Sequence, residues 1–522
     1  MTQLGAIAAG HKKTAAAAEL ILRDGGNAFD AVVAAFFAAC VSEPVLTSLG
    51  GGGFLLAEQA GKSPDIYDFS VQTPQRQRHP DEVDFYPISA DFGTAQQEFH
   101  IGHGAAATPG AVKGIFAIHQ ALCTIPMSRL IEPAVEMARS GIVVNSFQGY
   151  IFQIVQAIFS ASSSVQQHYA SPGDPARLVQ QGDIFRQPAL ADTLEALARE
   201  GEALFYHGEI ANAICSDSEQ QGGHLQRSDL FQYEVIMRQP LALNYGDSRL
   251  FTNPPPSSGG ILIAFALQLL QQLAPTKCHF GSTEHLKLIS HAMALTSKAR
   301  IDAHLDAVEN GDNPHPDLME LLDPQFLASY QNEISARSAA LRGTTHISIM
   351  DRSQNIASMT LSNGEGCGHM VPGCGFMLNN MLGEEDLNPT GFHRWPTNQR
   401  MTSMMSPSLL RTTNGASYVL GSGGSNRIRT ALLQVIINLV VFKMPLHKAV
   451  NAPRLHFENG LLNIEGGFDS VVLKTLSDTF PQQKVWDGHS LFFGGAHSIA
   501  FDQHGFQSCG DPRRGGVGVV DE

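Results

Sequence analysis

The chain reads as an α/β protein in which packed β-sheets lie between helical layers, and three observations predict it. Helical patterns dominate the first half, as in "SRLIEPAVEMARSG" at Ser128 to Gly141 and "LADTLEALAREGEALFY" at Leu190 to Tyr206. From Thr345 onward the pattern changes to short alternating runs with strand periodicity. Helical cover then resumes once, at Arg427 to Phe442. A chain of 522 residues can bury a large core and allows roughly three domains at most, or one large intertwined unit.

Taken in order, "HKKTAAAAELILRDGGNAFDAVVAAFFAACV" splits at Gly25-Gly26 into two helices. Glycine stops the first and Asn27 caps the second. In "SLGGGGFLLAEQ", Gly50 to Gly53 precede a strand beginning near Phe54. No GxxxxGK[ST] accompanies them, so close backbone packing is expected rather than a phosphate loop. "NPPPSSGG" at Asn253 to Gly260 is a rigid loop leading into the helix "ILIAFALQLLQQL". The later strands are expected at "HISIMD", "IASMTLS", "GFMLNN", "SLLRT", "ASYVLGSGG" and "AHSIAFD".

Composition excludes several function classes. The formal net charge of -15 and the absence of basic runs argue against nucleic acid, because phosphate contacts need clustered Lys and Arg. Charged residues are only 16% of the chain while glycine numbers 50, which suits a turn-rich enzyme rather than a disordered protein. The N-terminus lacks a basic start followed by an apolar core, and no apolar window reaches the ~20 residues of a membrane span. Seven scattered cysteines form no CxxC pair and no disulfide framework is expected. A cytoplasmic protein without membrane or nucleic-acid partners is the expectation.

The chemistry centres on "GTTHISIMD" at Gly343 to Asp351. Pairing Asp351 with Ile356 around the four residues "RSQN" sets Thr345 opposite Ser362 and Thr344 opposite Asn363. Hydroxyls and an amide then meet at the hairpin's open end. By strand chemistry alone this is a threonine-rich strand start. A second reading follows if the Gly343–Thr344 bond is cut, because Thr344 then carries a hydroxyl beside a free α-amine that can act as its base. An α-amine has a pKa near 7.7, so roughly a sixth is neutral at pH 7. The turn "GSGGS" at Gly421 to Ser425 offers backbone N–H donors for an oxyanion, or is simply a strand-to-helix turn.

Other signatures are weaker. There is no GxSxG elbow and no HExxH pair, and the two histidines of "EHLKLISH" lack i, i+4 spacing, so no metal and no cofactor are expected. The run "GEEDLNP" from Gly383 is read as a solvated acidic loop whose carboxylates could hold a substrate ammonium.

Together with "GGNAFDAVVAA", "EPVLTSLGGGGFLL", "ATPGAVKG", "PPPSSGG", "PGCGFMLNN", "SMMSPSLL", "GSGGSNRIRTALLQVIIN", "NAPRLH" and "GDPRRGG", these segments resemble the γ-glutamyltranspeptidase (glutathione hydrolase) family of N-terminal-nucleophile enzymes. The likeness spans nearly the whole chain. It implies a four-layer αββα sandwich with stacked antiparallel sheets between helices. It also implies a proenzyme cut between Gly343 and Thr344 into a large subunit, residues 1–343, and a small one, residues 344–522, forming one intertwined domain.

By position, the resemblance makes Thr344 the nucleophile, with Ser362 as a supporting hydroxyl. It puts the oxyanion hole on Gly424 and Ser425, with Gly423 as the alternative donor. The substrate pocket departs from the family. In "DFSVQTP", Ser70 stands where the family has an arginine for the glutamyl α-carboxylate, and the paired serines before "MSP" become Ser403 and Met404. Met381 replaces a glutamine, the acidic residue for the α-ammonium is best matched by Glu384 with Glu385 one step away, and Asn363 lies beside the amino-binding asparagine position, now Gly364. Losing an arginine–carboxylate contact costs ~1.5–3 kcal/mol, about ten- to a hundred-fold in affinity, unless Arg76, Arg78 or Arg394 substitutes. The implied reaction is attack on a small-molecule γ-glutamyl or related acyl amide, followed by release to water or an amine or amino-acid acceptor. Rival readings are a glutaryl- or cephalosporin-acylase-like amidohydrolase and an inactive scaffold or binding homologue.

Overall fold

A computed structural model of the chain describes residues 4–91, 96–273, 278–309, 318–323, 326–327, 343–388 and 391–520. Two antiparallel sheets form its centre. The seven-stranded sheet runs in the order Ile236–Arg238, Asp65–Phe69, Gly52–Glu58, Ile356–Ser362, Thr345–Asp351, Gly5–Ala9, Val517–Val520. The six-stranded sheet runs Leu241–Tyr245, Ser248–Thr252, Ser408–Thr412, Ser417–Gly423, Gly495–Asp502, Gly505–Cys509.

Strand alternation assigns each face to a different core. Phe54, Leu56, Met350 and Ile356 of one sheet meet Leu409, Val419 and Ile499 of the other in an apolar layer between the sheets. The residues next to them, Leu55, Ile347, Ile349 and Met359, point the other way into a core shared with helices including Ala28–Ser42. On the far side, Leu410, Leu420 and Ala500 pack with the helices Ser258–Leu273 and Arg427–Val440. Helix, sheet, sheet, helix is thus the order of layers, as the resemblance implies.

The two central helices are buried along their whole length; Ala28–Ser42 is accordingly apolar on nearly all sides, whereas Arg427–Val440 also buries Arg427, Arg429, Gln434 and Asn438. Asn27 caps Ala28–Ser42 through the amides of Phe29 and Asp30, and Asp30 reaches back to the Asn27 amide. The glycines of Gly50–Gly53 serve close packing as expected. A Cβ at Gly51 would lie 2.4 Å from the Ser362 carbonyl oxygen, and one at Gly53 2.5 Å from that of Thr360.

Several expectations are corrected. The first half holds strands as well as helices, including Gly5–Ala9 and Asp65–Phe69, because buried strands need no alternation to mark them. Among the described residues, α-helices return three times after Thr345, at Arg427–Val440, Leu446–Asn451 and Ser470–Ser477. "GFMLNN" forms only isolated bridges, Gly50 with Leu378 and Met377 with Met370, since its backbone is drawn to the glycine run and to its own loop. The hairpin register is shifted by one: Met350, not Asp351, faces Ile356, and Thr345 faces Leu361. Asp351 accepts the Ser353 and Asn355 amides, and Gln354 has φ +65, so the turn contains three residues rather than four. No described helix is long and apolar enough to cross a membrane.

Candidate active site

The corrected register brings the two hydroxyls closer than the expected one. Continuing the pairing of Thr345 with Leu361 by one step sets Thr344 directly opposite Ser362. Both side chains converge on one atom: the Thr344 hydroxyl donates to the Gly343 carbonyl oxygen at 2.7 Å and the Ser362 hydroxyl donates to it at 2.9 Å. The Ser362 oxygen in turn accepts the Gly364 amide at 3.1 Å. Gly343 is held from its other end, its amide donating to Glu365 at 2.7 Å. A Cβ on Gly343 would stand 2.7 Å from the Gly364 carbonyl oxygen, so glycine permits the approach.

The turn after Ser417–Gly423 comes from the opposite sheet. A Cβ at Gly423 would lie 2.1 Å from the Thr344 carbonyl oxygen, which places the turn's backbone against the Thr344 peptide. Gly424 has φ +117 and Ser425 φ +50, so two successive left-handed residues bend the chain into the helix Arg427–Val440. The Ser425 hydroxyl donates to Asp386 at 3.0 Å, joining this turn to the acidic loop.

That loop separates its two carboxylates. Glu384 is buried, and its Oε1 lies 2.4 Å from where a Cβ of Gly364 would be, whereas Glu385 is exposed. The cause is Asn388, whose side-chain amide binds the carbonyls of Met381, Leu382 and Glu384 and folds the loop inward. It is therefore not a solvated loop at Glu384. Asn363 is buried beside this group, and its side-chain oxygen has no hydrogen-bond partner.

Ser70 and Ser403 stand apart. Ser70 follows Asp65–Phe69, with two strands between it and Thr344, and its buried hydroxyl has no partner. Its carbonyl accepts from the Tyr233 hydroxyl at 2.6 Å and from the guanidinium of Arg400. Arg400 is the buried arginine at this position, committed also to Glu234 and lying over the Tyr233 ring. The three sequence candidates are elsewhere: Arg76 and Arg78 pair with Glu219, and Arg394 is exposed. Ser403 accepts the Met405 amide, and its carbonyl accepts the amides opening the helix Ser258–Leu273. Met381 belongs to a small apolar cluster with Val71, Ala107, Trp395 and Met401.

Sequence reasoning missed two charged groups at the centre. Arg514 is buried, donates to the Thr344 carbonyl at 3.3 Å, and is pushed down to about 10 by burial, against the pull of Asp511 and Glu365. It remains a cation at neutral pH. Glu365 and Arg514 thus bracket the Gly343–Thr344 segment with opposite charges. The motif "GDPRRGG" contained the arginine, but nothing local says which of its two buried arginines reaches the Thr344 carbonyl. His346 fills the space that Gly421 leaves, and burial keeps its imidazole neutral, far below its ordinary pKa.

The profile of the family described as "Gamma-glutamyltranspeptidase" matches residues 14–520. The chain is 30% identical to the glutathione hydrolase proenzyme of Pseudomonas aeruginosa, over 99% of this chain and 94% of that protein. It is 27% identical to the acylase ACY 1 proenzyme of Pseudomonas sp. strain V22, over 96% and 90%. The crystal structure of a cephalosporin acylase from Bacillus halodurans superposes with a TM-score of 0.84, covering 99% of this chain and 96% of that one, at 22% identity.

Proposed function

The chain belongs to the gamma-glutamyltranspeptidase family, and on that premise we propose that it is a self-processing enzyme that cleaves γ-glutamyl amides such as glutathione. The observation that carries this reading is the convergence of the Thr344 and Ser362 hydroxyls on the Gly343 carbonyl oxygen.

In the precursor, the Thr344 oxygen attacks the Gly343 carbonyl carbon while Ser362 donates to the carbonyl oxygen as it gains charge. The C–O bond forms, the C–N bond to Thr344 breaks, and the nitrogen takes up the proton. Water then hydrolyses the ester, leaving residues 1–343 with a new carboxylate and residues 344–522 with a free threonine amine. The mature nucleophile uses that amine to accept the proton of its own hydroxyl. Its oxygen attacks the substrate amide, and the Gly424 and Ser425 amides hold the oxyanion. The leaving amine departs with a proton, and water or an acceptor amine releases the acyl group. Glu384, buried beside Gly364, is the carboxylate for a substrate ammonium, with the Asn363 side-chain oxygen as its partner.

A second reading, a related acylase acting on glutaryl-like groups, is favoured by one observation. The clamp position holds Ser70 with an arginine already bound to backbone carbonyls, and Met381 makes the neighbouring surface apolar. A denaturing gel with mass spectrometry tests the processing: wild type yields two fragments, and Thr344→Ala remains one chain. An uncut wild type sinks the proposal. Comparing γ-glutamyl and glutaryl anilides separates the substrate classes, since only the former offers an ammonium to Glu384. The cytoplasmic setting is part of the same proposal, supported by seven cysteines that are all free thiols.

A further inference from the structure

Apart from Thr344 and its neighbours, the molecule brings together four side chains that no local motif announces. The hairpin Tyr86–Asp91 with Gln96–Ile101 pairs Tyr86 with Ile101, and two steps beyond its base that register sets Asp84 opposite His103. His103 Nδ1 lies 3.0 Å from Asp84 Oδ2, and His103 Nε2 lies 3.0 Å from Asp217 Oδ2. His369 comes from the loop after Ser362, its Nε2 3.5 Å from the same Asp84 oxygen, and its ring is 4.0 Å from that of His103. One donor atom from each of Asp84, His103 and His369 falls within a 4.8 Å sphere of mutual distances.

We propose that Asp84, His103 and His369 form a binding site for a divalent metal of the zinc class, with Asp217 orienting His103. Two imidazoles and one carboxylate are the ligand set zinc takes in sites that keep a fourth position open. The outer carboxylate is equally specific. In the loaded site Asp217 accepts from Nε2 and leaves the Nδ1 lone pair of His103 for the metal. The simpler account, a charged His103 donating to two aspartates, leaves His369 without a purpose: its Nε2 is buried, aimed at Asp84, and has no hydrogen-bond partner. A metal between the three atoms satisfies it. Two of the three ligands, His103 and His369, also line an open cleft of about 470 Å³ together with Asp217, Gln167 and Gln221, so water or a small exogenous donor can reach them.

The site shares no residue with the Thr344 cluster but holds the same loop. His369 lies four residues after Glu365, which accepts the Gly343 amide. A bound ion therefore staples that loop to the base of the Tyr86–Ile101 hairpin.

The test uses the full chain stripped with a chelator and titrated with zinc chloride by calorimetry, with metal content measured after dialysis. Wild type is expected to hold one zinc per chain and to melt at a higher temperature when loaded. His369→Ala is expected to weaken zinc binding at least a hundredfold, and Asp217→Asn ten- to a hundredfold, as outer carboxylates do. Cobalt in place of zinc reports the geometry by its visible absorption. Failure of folded wild type to bind one equivalent, or unchanged affinity in folded His369→Ala, overturns the proposal. If His369→Ala does not fold, Asp84→Asn supplies the same comparison. All these readouts are independent of chain cleavage and of amide hydrolysis.

Discussion

The Thr344 and Ser362 hydroxyls meet at one atom, the Gly343 carbonyl oxygen. Ser362→Ala removes one of the two hydroxyl donors to it, and loss of a donor to a developing oxyanion typically costs ~10²–10³ in rate. We expect chain cleavage to slow by that order, measured as fragment appearance over time in freshly made protein. Gly343→Ala pushes a methyl to 2.7 Å from the Gly364 oxygen and is expected to leave the precursor uncut while Thr344 is intact. Two fragments in that variant would show that the close approach is not needed. Strand chemistry alone reads Thr344 and Ser362 as the open end of a hairpin, and it is the family resemblance that singles them out. Glu384 was legible only as one of two adjacent carboxylates; Asn388, by gathering three carbonyls, buries it and leaves Glu385 in solvent. Arg514 and Glu365 were not legible, since their value lies in reaching the same peptide from different loops.

The hairpin shows how an element can be identified correctly while its register is missed. Both strands were evident from composition, yet the turn was counted as four residues. Nothing in "DRSQNI" indicates that Asp351 would take the Ser353 and Asn355 amides or that Gln354 would adopt φ +65. A left-handed glutamine costs about 1 kcal/mol relative to glycine. Gln354→Gly is therefore expected to stabilise the protein by ~0.5–1 kcal/mol, read as a higher urea midpoint with an unchanged slope. Asp351 also accepts the Ala28 amide at 2.9 Å, coupling this turn to the start of the buried helix Ala28–Ser42. Helices with complete caps, such as that one, were readable to within a residue or two. Strands buried on both faces, such as Gly5–Ala9, were not, because their apolar runs carry no period.

Across the whole molecule, a buried ion network ties the connection between Gly505–Cys509 and Val517–Val520 to the segment from Arg454 to Glu465. Arg454 meets Asp511 at 2.6 Å, Arg513 meets Glu465 at 2.6 Å, and Asp511 also accepts the Ala496 amide. The two guanidinium groups hold Asp511 far below the ordinary carboxylate range, although burial alone would raise it. Asp511→Ala leaves the arginines short of a counter-charge and is expected to cost ~3–5 kcal/mol, seen as a drop in urea midpoint together with weakened cleavage, because Arg514 hangs from the same turn. Buried histidines set the acid side of stability. Burial lowers His11, His168, His224, His285 and His497 from 6.5 to about 4. A group whose folded pKa is depressed binds its proton more readily when unfolded, so stability is lost as pH falls from about 6.5 toward 4. By pH 5 the loss is about 2 kcal/mol per histidine. Denaturant titrations at pH 7 and pH 5 check this, and equal midpoints would contradict it.

The sequence by itself determined the layered class, because periodicity and caps are local and act within a few residues, and the family, because its motifs recur in order along nearly the whole chain. Tertiary structure decided the hairpin register, the burial of Glu384 rather than Glu385, the occupation of the Ser70 neighbourhood by Arg400, and the meeting of Asp84, His103 and His369. Each of those depends on side chains from distant segments arriving at one point, and the cost of burying an unpaired polar group, rather than any local preference, selects which ones arrive.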